Sequence, residues 1–271
     1  MGKMSDYIVT QDNYYDIETD KRLMSVHQYL DFAGYLGVHS CEARAMAKLN
    51  GEWEEPTTEP MLVGSYVDSH FEGTLDKFKL EHPEVFTQKG ELKAQYKRAE
   101  KMIEAIERQE LAMQFMSGEK QKIFTGYLFG CEWKCKLDSY IPGKCIVDLK
   151  TTANMHQSWR VADYGQCDFT TYWGYHLQLA VYQKIVEINT GEKLPCFIVA
   201  VTKEDYPEVA VIGIDQQSLD HALNTVEMNM PSVLAVKNGE SEPIRCERCN
   251  YCKSTAKITK VIHYNDLIFG D

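Results

Sequence analysis

Two aspartates and a lysine stand closest to a chemistry in this sequence: Asp138 in KLDSY, then Asp148 and Lys150 in CIVDLKTT. Side chains alternate across a β-strand, so a strand through IVDLK projects Asp148 and Lys150 from one face while Leu149 enters the opposite layer. A carboxylate and an ammonium are then held side by side, and a turn through Pro142 and Gly143 can fold Asp138 back towards them. Register decides whether the two carboxylates meet. A two-residue turn at Pro142 and Gly143 pairs Asp138 with Val147 and sends Asp148 to the other face, whereas a three-residue turn of Pro142, Gly143 and Lys144 sets Asp138 opposite Asp148. The longer turn, or a bulge, is expected.

Paired carboxylates are hard oxygen ligands suited to Mg²⁺ or Mn²⁺. Such an ion polarises a phosphoryl oxygen and generates hydroxide from bound water, the two services that phosphodiester hydrolysis needs. Lys150 would orient the water and offset charge building on the phosphate. An isolated D-x-K is more often a surface ion pair than a site. Weight for the site comes from Asp138, from the apolar run CIV that buries the strand, and from the helix that follows.

The elements that must position these residues can be read in outline. Residues 1–22 are polar and suggest a loosely ordered or strand-like lead-in, and residues 23–271 a single domain. Ser25 is a plausible N-cap for a helix in VHQYLDFAGYLG, and a second helix runs through CEARAMAKLNG to Gly51. The acidic, proline-bearing GEWEEPTTEP is a loop leading into a helix near Met61 to Phe78. Glu91 to Phe115 has the composition of one long, largely exposed helix with apolar positions at Met102, Ile106 and Met113. The period then changes: IFTGYLFG, CEWKCKLDSY and CIVDLKTT are strands, YHLQLAVYQKIVEIN is a helix, and PCFIVAVTK with EVAVIGID is a further strand pair. SLDHALNTVEMNMPSVLAVKNG is a closing helix kinked or broken at Pro231.

The chain has 271 residues, 44% of them hydrophobic, enough to bury a sizeable core in one α/β domain with peripheral helices. Its 29 Lys plus Arg against 40 Asp plus Glu give a net charge of -11, which argues against coating nucleic acid by bulk charge and leaves local basic patches as the means of contact. Without a secretory leader or a long apolar stretch, a soluble cytoplasmic protein with no membrane partner is expected. Nine irregularly spaced cysteines in a reducing compartment point to buried thiols or a metal site. Cys246, Cys249 and Cys252 form C-x2-C-x2-C, dense enough to gather thiolates around one metal but one ligand short of a tetrahedral site. Cys131, Cys135, Cys145, Cys167 and Cys196 lie in or near strands and suit buried small hydrophobes.

Taken together, Asp138 followed by DLKTT resembles the PD-(D/E)xK nuclease superfamily, within it the RecB-like branch and the phage RecE (exonuclease VIII) type of recombination nuclease. The resemblance spans about Leu23 to Lys257 and implies a restriction-endonuclease-like α/β core, a central mixed β-sheet flanked by helices. Gln178 and Tyr182 in YHLQLAVY match the Q-x-x-x-Y element that this branch places on a helix beside the active site, implying a catalytic role for both. Upstream, GSYVDSHFE matches a helix that usually reads G-[ST]-x-x-H-x-x-x-E. Asp68 stands where the metal-binding histidine is usual, and Glu72 lies one turn away on the same face, whereas His70 is rotated off it. The implied metal ligands are therefore Asp68, Asp138 and Asp148.

The resemblance also implies a fourth thiolate, because some RecB-like nucleases hold an iron–sulfur cluster with one cysteine ahead of the core and three at its end. Cys41 in HSCEARA occupies that first place, so Cys41, Cys246, Cys249 and Cys252 suit a [4Fe-4S] cluster, Zn²⁺, or simply reduced thiols; the final spacing here is shorter than such clusters usually show. The implied activity is Mg²⁺-dependent exonuclease action on double-stranded DNA ends, with a phage single-strand annealing protein as partner and a homo-oligomer as assembly. A structure-specific endonuclease or an inactive DNA-binding protein on the same core are the alternatives. Lys93, Lys97, Arg98 and Lys101, repeating along one helix, and Trp159, Arg160, Tyr172 and Trp173 are candidate DNA contacts.

Overall fold

In a computed structural model of the chain, residues 6–259 and 261–265 are described; the outermost residues of the two expected segments, 1–5 and 266–271, lie outside them. Among the described residues of the N-terminal lead-in, no strand forms and a helix follows a turn. The chain turns through residues 11–15 into α1 (Ile17–Arg22), with Tyr14 and Thr19 buried. The Ser25 hydroxyl accepts from the Gln28 amide at 3.3 Å and starts α2 (Val26–Ala33), and α3 (Glu42–Leu49) follows.

The helix expected near Met61 to Phe78 is two, α4 (Glu59–Glu72) and α5 (Leu75–Glu81), because Gly73 ends the first with φ 77°, a left-handed cap that glycine adopts without strain. The stretch expected as one exposed helix also divides. Residues 94–96 form a 3₁₀ turn, α6 spans Arg98–Glu107 and α7 spans Glu110–Phe115, with extended Gln109 between them. That break lets α6 pack on α4 while α7 turns onto the last strand of the sheet. Met102 and Ile106 are fully buried in the process, and Met113 stays exposed.

Strands β1 (Lys122–Leu128) and β2 (Cys131–Leu137) pair as an antiparallel ribbon. β3 (Ser139–Ile141) and β4 (Cys145–Thr152) form a hairpin, and β5 (Trp159–Val161) with β6 (Gly165–Cys167) a smaller one. Asp168 accepts from the amides of Thr170 and Thr171 to cap α8 (Phe169–Tyr172), and α9 (Tyr175–Thr190) carries the chain to β7 (Cys196–Thr202) and β8 (Val209–Ile214). β7 runs parallel to β4 and β8 antiparallel to β7, giving a mixed sheet of order β3-β4-β7-β8. α10 (Gln216–Lys237) continues through Pro231 without interruption, and α11 (Asn250–Ser254) is the last helix among the described residues.

The sheet separates two apolar layers, which is why its central strands lack polar alternation. Ile146, Ile198 and Ala200 face the side packed by α2, α9 and α10, while Val147, Leu149, Val199 and Val201 face the side packed by α4 and α6. Each of the valine, leucine and isoleucine side chains contributes roughly 1.5–3 kcal/mol on burial. β4 is thereby fixed on both faces, and the polar groups it carries cannot swing away. Among the described residues, no helix is long and apolar enough to cross a membrane.

Candidate active site

The β3–β4 hairpin has the three-residue turn. Ser139 pairs with Val147, Tyr140 with Ile146 and Ile141 with Cys145, and the turn of Pro142, Gly143 and Lys144 closes with the Lys144 amide donating to Ile141 O at 3.0 Å. One further step along that ladder sets Asp138 opposite Asp148. Asp138 Oδ2 accepts from the Leu149 amide at 2.7 Å, and Oδ1 accepts a longer bond of 3.4 Å from Gln121 Nε2. Asp148 Oδ1 accepts from Gln178 Nε2 at 2.7 Å, and its Oδ2 lies 2.7 Å from Lys150 Nζ. The ammonium also sits 4.8 Å from the centre of the Tyr175 ring, a cation–π contact.

α4 brings Asp68 to the same place. A Cβ at Gly64, one turn earlier, would meet Thr151 Oγ1 at 3.0 Å, so the absent side chain is what lets α4 approach β4 closely enough for Asp68 to reach its partners. Asp68, Glu72, Asp138, Asp148, Lys150, Gln178 and Tyr182 all line one cavity of about 700 Å³. His70 is not among them: its Nε2 lies 2.8 Å from Glu107 Oε1 on α6.

The electrostatics follow from burial and from like charge. Desolvation, then the neighbouring Asp148, push the Asp138 carboxyl up to about 7, against the pull of Lys150 and the Leu149 amide. Burial and then Asp138 hold Asp68 well above the usual carboxylate range. Burial draws Lys150 down, but Asp148, Tyr175 and Asp138 outweigh it and leave the ammonium strengthened. Burial keeps Tyr182 a neutral phenol, its affinity for its proton raised further by Tyr14 and Asp148. Asp68 Oδ1 is buried without a hydrogen-bond partner. The three carboxylates line one cavity without forming a closed ligand cluster, and the orphaned buried Asp68 oxygen there is a hard donor of the kind a divalent cation takes.

Sequence reasoning missed part of this cavity. Its wall includes Tyr14, Tyr15, His27, Lys48, Lys134 and Lys136. Lys134 and Lys136 could have been found, since in CEWKCKLD they alternate with Trp133, Cys135 and Leu137 and so share a strand face with Asp138. Lys134 is buried against Asp20 at 2.7 Å, bonds to Tyr14 O and lies over the Tyr14 ring. His27, in the first turn of α2, has its pKa lowered by burial and then by Lys150.

The cysteine sulfurs also converge. The Sγ atoms of Cys41, Cys246, Cys249 and Cys252 all lie within 4.8 Å of one another, so a four-cysteine site is present. Of the other five, Cys135, Cys145, Cys167 and Cys196 are buried and Cys131 is half-buried. The basic residues proposed to repeat along one helix do not: Lys93 and Lys97 precede α6, Arg98 pairs with Glu59, and Lys101 reaches Asp205 O at 3.5 Å. Trp159 and Tyr172 stack at 4.6 Å with planes 10° apart, with Trp173 edge-on to both.

The model of a family described as a PDDEXK-like domain of unknown function (DUF3799) matches residues 25–255. Among solved structures, that of a "putative exonuclease" from Eubacterium rectale is 53% identical, with a TM-score of 0.94, over 98% of this chain and 100% of its own. The structure of SSO0001, 13% identical with a TM-score of 0.32 over 78% of this chain and 89% of its own, is too distant to bear on the argument. No curated protein matches the chain.

Proposed function

The chain belongs to the family of PDDEXK-like domains, and on that premise we propose that it is a divalent-metal-dependent deoxyribonuclease hydrolysing phosphodiester bonds from the ends of duplex DNA. The observation that carries this reading is the convergence of Asp68, Asp138, Asp148 and Lys150 on one cavity, with a buried Asp68 oxygen left unpartnered. Leaving a buried polar oxygen without a partner is costly, and a cation satisfies it.

Asp68, Asp138 and Asp148 are the ligands in this reading, and their hard oxygens suit Mg²⁺ or Mn²⁺. When bound, the ion supplies Lewis acidity towards a phosphoryl oxygen and lowers the pKa of a water. The protein's own groups do the rest. The Leu149 amide fixes Asp138, and Gln178 fixes Asp148, so neither carboxylate must reorganise when substrate arrives. Lys150, charged and clamped between Asp148 and the Tyr175 ring, orients the attacking water and stabilises charge on the phosphate. Tyr182 lines the cavity with Gln178, and Lys136 supplies positive potential for a strand entering it, while Lys48 and Lys134, paired with Asp31 and Asp20, shape the wall. Resection of ends in phage-type recombination, with a strand-annealing partner and a homo-oligomeric assembly, is the role that the family resemblance favours.

The test uses end-labelled linear duplex and a covalently closed circle of the same sequence, with Mg²⁺, for wild type and Lys150→Ala. Nucleotide release from the linear substrate alone, lost in the variant, is the expected result. Equal release by both proteins removes the enzyme reading, and cleavage of the closed circle at the same rate replaces the exonuclease by an endonuclease.

A further inference from the structure

The family resemblance implies an iron–sulfur cluster on Cys41, Cys246, Cys249 and Cys252, and the sulfur positions do not fit one. Cys41 Sγ and Cys252 Sγ are 3.6 Å apart, Cys246 Sγ and Cys252 Sγ are 3.9 Å apart, and no pair among the four exceeds 4.8 Å. A four-iron cubane gives each thiolate its own iron and points it outward from a different corner, which spreads the sulfurs beyond that limit. A single tetrahedral ion does the opposite: bonds of about 2.3 Å at tetrahedral angles set sulfurs about 3.8 Å apart.

The backbone around the thiols is arranged for the same task. Glu247 adopts φ 57°, folding the chain back inside Cys246–Cys249. The Cys249 amide then donates to Cys246 Sγ at 3.3 Å, and the Cys252 amide to Cys249 Sγ at 3.5 Å. Four soft sulfur ligands with no open position describe a structural zinc site rather than a catalytic one.

We propose that Cys41, Cys246, Cys249 and Cys252 hold one Zn²⁺ ion in a closed tetrathiolate site that staples the C-terminal knuckle onto α3 and so fixes one wall of the carboxylate cavity. Cys41 is the N-cap of α3, and that helix presents Ala45, Lys48 and Leu49 to the cavity. The knuckle is joined to α3 by few other contacts: Ala43 N donates to Ile244 O at 3.1 Å, and Ile244 N to Glu42 Oε2 at 2.7 Å. Its apolar cluster has Cys41, Ala43 and Cys252 as its buried members, too small a core to hold the segment by burial. Tyr251 in turn meets Trp53, itself a cavity residue, at 5.6 Å. The proposal stands whether or not the cavity is a nuclease site.

The experiment is elemental analysis and visible spectroscopy of the full chain, purified without oxygen from cells supplied with both iron and zinc. About one zinc per chain with no visible absorption is the expected result. Iron with the broad brown absorption of a cluster, or protein free of both metals, overturns it. Cys252→Ser should lose the zinc and several degrees of Tm, while Cys131→Ser keeps both. Should Cys252→Ser fail to fold, cobalt exchange into the wild type decides instead. Intense visible bands of tetrahedral cobalt with sulfur charge transfer support the site, and a pale octahedral spectrum overturns it.

Discussion

Lys150 faces Asp148 at 2.7 Å while Asp68 and Asp138 crowd the same cavity, so its loss has two separable consequences. Lys150→Ala is expected to lower the rate of phosphodiester cleavage by about 10²–10³, the usual effect of removing one preorganised group that stabilises transition-state charge. Binding of Mg²⁺, read as the rise in Tm on titration, should persist or strengthen, because the competing ammonium is gone. Asp138 gives the second prediction. Its carboxyl is held up to about 7 by burial and Asp148, so the folded chain binds that proton more tightly than the unfolded chain. Without metal, stability is therefore present at pH values below the ordinary aspartate range and is lost as the pH rises towards 7. Tm measured in EDTA across that range should fall, Mg²⁺ should offset the fall increasingly as the proton leaves, and Asp138→Asn should flatten both trends. A Tm in EDTA that climbs steadily to neutrality would contradict the assigned environment of Asp138.

At the level of elements, the site is a junction of one hairpin and two helices, and these were unequally legible. The β3–β4 register was legible as a choice between a two- and a three-residue turn: only the longer sets Asp138 opposite Asp148, since one residue fewer would turn Asp148 to the other face, and the hairpin has the longer. The division of residues 91–115 was not legible: the composition favours helix throughout, and the break at Gln109 arises from α6 and α7 packing against different neighbours. For a related reason Pro231 does not break its helix, since α10 is held along its length by Leu219, Val226, Met230 and Val233 in the core, which outweighs the missing amide bond. Gly64 shows what a motif glycine does physically. Gly64→Ala should press on Thr151 Oγ1, shift α4 outward and weaken Mg²⁺ binding several-fold, with a loss of about 1 kcal/mol or less in stability. Adding Thr151→Ala removes the obstructing hydroxyl and should restore the affinity, a coupling that a double-mutant cycle on Tm shifts would measure. Additive effects of the two substitutions would mean that α4 does not depend on this contact.

For the whole molecule, a net charge of -11 must be reconciled with a polyanionic substrate. Attraction has to be local, and the cavity wall is where lysines gather: Lys48, Lys134 and Lys136 surround the carboxylates. Much of that wall was invisible in the sequence because its partners are distant along the chain; Lys134 is tied to Tyr14 and Asp20, in a segment whose composition suggested a loosely ordered or strand-like lead-in. Two of the three lysines are already committed, Lys134 to Asp20 and Lys48 to Asp31 at 2.5 Å, so they shape the cavity more than they attract. Lys136 differs: it is half-buried, its ammonium 4.5 Å from the Tyr15 ring centre and 5.1 Å from that of Tyr14, a position from which it can meet a phosphate while the rings flank the adjoining sugar or base. Lys136→Ala should therefore raise KM for DNA several-fold with kcat changed less than about twofold, since the residue binds ground and transition states alike. The slope of binding against salt should drop by about one counterion, the signature of a single lost phosphate contact. A lowered kcat with an unchanged salt slope would place Lys136 in the cavity's architecture, alongside Lys134, rather than on the strand.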